Sequence, residues 1–73
     1  MAYNYNKLRG RIVEKFGSLN KMADALGISY NAMSRKMNNK ISLSQDDIVI
    51  WAEMLDIKPE EFSSYFFELE VQK

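Results

Sequence analysis

Four side chains close together in this chain have the chemistry to read a base pair: Tyr30, Asn31, Ser34 and Arg35. An arginine can donate two parallel hydrogen bonds to guanine O6 and N7, and an asparagine pairs with adenine N6 and N7. A serine serves several bases or a phosphate, and a tyrosine stacks, packs on a thymine methyl group or reaches a phosphate. On a helix these positions share one side, so they form a reading surface rather than scattered polar residues. Asn31 is the foremost base reader. Any one of them alone would pass for part of a solvated helix face; their co-occurrence carries the expectation. Nearby stand residues suited to gripping a sugar-phosphate backbone: Asn20, Lys21, Ser29, Lys36, Asn38 and Lys40.

Two short apolar-periodic segments position these side chains. Met22, Ala23 and Leu26 lie on one helical face and Gly27 follows at once, where a left-handed backbone conformation ends a helix without a Cβ penalty. Ile28 can plug the angle, and Ser29 can cap a second helix from Tyr30 to Asn38 whose buried side is Met33 and Met37. Ala23 is small where helices joined by so short a turn must approach closely. Ser18 caps the first of the pair, which runs from Leu19 to Leu26; free N–H groups at its start, beside Asn20 and Lys21, favour a phosphate. Asn38-Asn39-Lys40 ends the second helix, since asparagine accepts the left-handed conformation more readily than most residues.

Ala23, Leu26-Gly27-Ile28, Met33 and the run Ser34-Arg35-Lys36-Met37-Asn38 resemble the helix-turn-helix of the phage Cro and repressor class, the XRE type. The resemblance is nearest to small Cro-like regulators of phages and prophages in Gram-positive hosts, is supported by the opening residues up to Ile12, and extends from Tyr5 to Phe67. It implies a five-helix, λ-repressor-like all-α domain that binds double-stranded DNA and regulates transcription. A homodimer of that kind would place two recognition helices in successive major grooves about 34 Å apart, on a pseudo-palindromic operator. One departure stands out: Lys36 occupies a place that is usually apolar in the Cro pattern, which leaves the register of the base readers open by one position.

The composition agrees with a single folded domain over residues 1–73, with its motif at about 19–38. The chain is 47% hydrophobic and has no cysteine, so core packing rather than disulfides must hold it. No apolar run is long enough for a membrane span and no signal peptide is visible, so the expected location is the bacterial cytoplasm. Net charge is zero, but residues 1–40 hold eight Lys or Arg against two acids, net +6, and residues 41–73 hold two against eight, net −6. A basic half can hold phosphate while an acidic half keeps the protein soluble. Without histidine, cysteine, a phosphate-cradling glycine loop or a ligand cluster, an enzyme, a cofactor, a metal or a small-molecule ligand is not expected.

Around the motif, Leu8, Ile12 and Phe16, with Val13 beside them, predict a first helix stopped by Gly17; its Arg11 and Lys15 are further candidates for phosphate. Ser44 caps a helix with Asp46 and Asp47 in its first turn and a buried stripe of Ile48, Trp51, Ala52 and Leu55, Trp51 being the centre of the core. Pro59 opens a fifth helix carrying Phe62 and Phe66 inward. Phe67, Leu69 and Val71 alternate with Glu68 and Glu70, which reads as a short C-terminal strand. A lone strand in a helical chain needs a partner, so residues 66–73, with Tyr65, are expected to form a dimerisation tail. A second function fits the same residues: an antitoxin or adaptor that binds a protein through Tyr65, Phe66 and Phe67.

Overall fold

Apolar side chains at three- and four-residue spacing produce the helices of the computed structural model, which describes residues 2–70. They are α1 (Asn6–Phe16), α2 (Leu19–Leu26), α3 (Tyr30–Met37), α4 (Gln45–Met54) and, entered through a 3-10 turn at Pro59–Glu61, α5 (Phe62–Phe66). The all-α, five-helix expectation holds, and the described residues contain no sheet beyond one isolated bridge.

Each helix boundary has a local cause. The Ser18 hydroxyl accepts from Lys21 N–H, Ser29 from Ala32 N–H and Ser44 from Asp47 N–H. At Ser44 the cap is reciprocal, because the Asp47 carboxylate also accepts the Ser44 N–H. Three helices close in the same way at their C-terminal ends. Ile28 N–H reaches Ala23 O across left-handed Gly27, Lys40 N–H reaches Arg35 O across Asn39, and Ile57 N–H reaches Ala52 O across Asp56. Gly27 at φ 75° and Asn39 at φ 63° match the sequence expectation; Asp56 at φ 55° does so without a glycine or asparagine to announce it.

The helices deliver their apolar sides to one centre. Trp51 and Phe66 are the largest fully buried side chains, surrounded by Leu8, Ile12, Met22, Met33 and Leu55. Met33 and Met37 are thus core residues, and Ala23 is buried at the α2–α3 corner. Val13, expected beside the buried stripe of α1, is half-exposed, because the arc of α1 that faces the core is already filled by Leu8 and Ile12.

The C-terminal tail finds its partner within the chain. Tyr3 and Leu69 form an antiparallel bridge, Asn4 N–H donates to Glu68 O at 2.6 Å and Glu70 N–H donates to Ala2 O at 3.1 Å. Two extended segments, each with unpaired backbone groups, satisfy one another, so the requirement for a strand partner is met without a second copy. Asn39 completes the seam: its Oδ1 accepts Tyr3 N–H and its Nδ2 donates to Tyr3 O, both at 2.9 Å. Tyr65 lies in the chain's own core with the Lys7 ammonium 4.7 Å from its ring centre, whereas Phe67 and Leu69 are 48% and 43% exposed. Val71 lies outside the described residues.

Asn39 therefore holds both an unusual backbone conformation and the N-terminal arm. Asn39→Gly keeps the first and loses the second, while Asn39→Ala loses both. Chemical denaturation should show Asn39→Ala destabilised by about 2 kcal/mol and Asn39→Gly by about 1 kcal/mol; equal losses would remove the backbone from the explanation.

Candidate functional site

The turn at Gly27 and Ile28 sets the geometry of α3. With Met33 and Met37 drawn into the core, the opposite side of the helix points outward: Tyr30 is 50% exposed, and Asn31 and Arg35 are exposed one turn apart. Ser34, between them, is half-buried, and its Oγ accepts from Asn38 Nδ2 at 3.2 Å. Three of the four expected readers thus stand clear on one face, and the fourth is engaged with the end of its own helix.

The expected backbone-gripping residues divide into two groups. Asn20, Lys21 and Lys40 are exposed, and no side-chain partner engages them among the described residues. Ser29, Lys36 and Asn38 have work inside the fold. Ser29 caps α3, Asn38 binds Ser34, and the Lys36 ammonium sits 2.7 Å from the Asp47 carboxylate with only 18% of its side chain exposed. Lys36, the residue out of keeping with an apolar position, bridges α3 to the N-terminal turn of α4.

That ion pair is one of several contacts that join the basic and acidic halves of the chain. Lys15 meets Asp56 at 2.6 Å. Arg11 donates from Nε to Leu55 O at 2.7 Å and from Nη2 to Asp56 O at 3.1 Å, so its cation closes the C-terminal end of α4 where the helix dipole favours positive charge. It also pairs with Glu14. Lys7 donates to Ser64 Oγ at 3.3 Å. Two ion pairs, Lys15–Asp56 and Lys36–Asp47, thus join the two ends of the sequence dipole among the described residues. Among the described residues, Lys7, Arg9, Lys21, Arg35, Lys40 and Lys58 have no carboxylate partner.

The local environment sets two carboxylates below the usual aspartate range. For Asp47, burial pushes upward but is outweighed by the hydrogen bonds from Lys36 and Ser44 and by the Lys36 charge. For Asp56, the hydrogen bond from Lys15 dominates. Among the described residues no group of His, Cys, Asp or Glu could hold a metal ion, and no helix is long and apolar enough to cross a membrane. One surface feature was missed in the sequence: Val49 and Ile50 on α4 are 51% and 47% exposed. The stripe of Ile48, Trp51, Ala52 and Leu55 accounts for the periodicity of the helix by itself, so the linear pattern does not distinguish an exposed Val49 and Ile50 from buried ones.

Comparison with known proteins places this geometry in context. A family model described as "Protein of unknown function (DUF739)" matches residues 1–69. The chain is similar to the solution structure of the modulator of repression (MOR) of the temperate bacteriophage TP901-1 from Lactococcus lactis. The two share 35% identity and a TM-score of 0.83, over 99% of this chain and 97% of that one. No curated protein matches the chain.

The Lys36–Asp47 pair makes a pH prediction. A carboxyl group whose folded pKa is depressed contributes stability above its unfolded pKa, and that contribution is lost as pH falls through the folded value. The protein should therefore lose stability as pH falls below about 4. Asp47→Asn should be less stable than the wild type at pH 7 and should close part of that gap near pH 3, as read by denaturant midpoints. A constant gap across that range would exclude Asp47 as a source of the pH dependence.

Proposed function

The chain belongs to the DUF739 family, and on that premise we propose that it is a small phage regulator that modulates repression by docking on a repressor protein through the exposed side of α3. The observation that carries this reading is the end-to-end likeness to a phage modulator of repression. Charge supports a protein partner over a bare duplex. Operator binding depends on neutralising several phosphates, and this molecule has zero net charge with Lys7, Arg11, Lys15 and Lys36 engaged in internal contacts. Tyr30, Asn31 and Arg35 suit either surface, since tyrosine and arginine are the residue types that most often anchor protein interfaces. This is the adaptor reading of the sequence with its contact moved from the aromatic tail to α3, because Tyr65 and Phe66 are buried in the core.

One observation favours a second reading, a Cro-like homodimer that binds an operator directly. Asn31 and Arg35 are exposed one turn apart on α3, which follows α2 across the short turn at Gly27, an arrangement that suits major-groove readout. In that case Lys21 and Lys40 serve as phosphate contacts, and Phe67 and Leu69 are the side chains available to a two-fold partner.

Titration with the repressor of the phage or prophage that carries this gene, beside selection from random duplexes, separates the two. Under the first reading the repressor is bound, Arg35→Ala weakens that binding at least tenfold, or about 1.4 kcal/mol, and raising salt from about 50 to 200 mM costs far less than the 10³-fold expected of a protein contacting many phosphates. Selection of a defined palindrome by the protein alone, with that steep salt dependence and with Asn31→Ala relaxing one position per half-site, would overturn it in favour of the second.

A further inference from the structure

The outer side of α4 is unlike an ordinary solvated helix face. Asp46, Val49, Ile50 and Glu53 follow the three- and four-residue spacing that puts side chains on one side of a helix, and all four are exposed. Val49 and Ile50 are β-branched, a type that helix propensity disfavours at a solvent position where Ala, Lys or Glu would serve better. Neither is needed to complete the core, which Trp51 and Ala52 fill from the same helix. Beside Ile50 a groove runs between α4 and the α2–α3 corner, lined by Leu26, Ile28, Ile50 and Trp51, with the Lys36–Asp47 pair on its wall.

We propose that this face and groove form a second docking surface, on a different helix from the α3 face, and that its occupant is a basic amphipathic helix of another protein. One apolar side chain of that helix fills the groove over Trp51, and its Lys or Arg side chains meet Asp46 and Glu53. The charge argument rests on pairing within the chain. Asp47 has Lys36 and Asp56 has Lys15, whereas Asp46 and Glu53 have no cation among the described residues. Two unpaired carboxylates flanking two exposed aliphatics complement a surface with an apolar centre and a cationic rim. This surface does not depend on which partner α3 takes.

Trp51, the sole tryptophan, lines the groove and reports on its occupation. The test titrates the full chain at low salt with a synthetic amphipathic peptide that has a leucine face bordered by lysines, and with the same peptide carrying glutamates in their place. Trp51 fluorescence and backbone amide shifts are followed. The lysine peptide should bind saturably with shifts centred on Asp46–Glu53, and the glutamate peptide should bind at least tenfold more weakly. Ile50→Asn should weaken the lysine peptide about tenfold; Glu53→Lys, on the rim and outside the groove, should do the same with an unchanged unfolding midpoint. Absence of saturable binding, equal binding of both peptides, or shifts centred on Tyr30–Arg35 would overturn the proposal. So would a self-association seen in sedimentation velocity and abolished by Ile50→Asn, which would show a second copy on this face.

Discussion

Burial of Trp51 is the constraint from which the arrangement follows. A chain of this size has little apolar area to lose from water, so every helix must contribute to one centre. Leu8 and Ile12 come from α1, Met22 from α2, Met33 from α3, Leu55 follows α4 and Phe66 comes from α5. Short helices that converge in this way need sharp ends. Serine caps open α2, α3 and α4, and left-handed residues close them, each such end being worth on the order of 1 kcal/mol. Because Met33 and Met37 are anchored, the other side of α3 has no choice but to face outward.

The second organising force is the return of positive charge from the first half of the chain onto the acidic second half. Lys36–Asp47 ties α3 to the start of α4, and Arg11 with Lys15 ties α1 to its end. These contacts commit Arg11, Lys15 and Lys36 to the fold and leave Arg9, Lys21, Arg35 and Lys40 of the basic half on the surface. They also bear on function, since a cation spent on an internal carboxylate releases no counterions from DNA.

The N-terminal arm and the C-terminal tail close the fold on the remaining side. Neither is regular structure, but each supplies the backbone partners the other lacks, and Asn39 joins the pair to the end of α3. The exposed Phe67 of the tail is thereby held by an internal seam, with Tyr3 edge-on to it at 6.3 Å between ring centres.

The linear order of residues determined the helices, their caps, the corner at Gly27, the core role of Trp51 and the outward face of Tyr30, Asn31 and Arg35. All of these rest on contacts between residues a few positions apart, where spacing and side-chain type suffice. Tertiary structure alone decided that Lys36 bonds to Asp47 instead of projecting, that Tyr65 is a core residue, that the tail pairs with Tyr3 and that Val49 and Ile50 stand exposed on α4. Those outcomes turn on which distant segments meet: a strand-like alternation states that a partner is needed without saying which one, and a lysine's charge does not reveal whether a carboxylate waits across the fold.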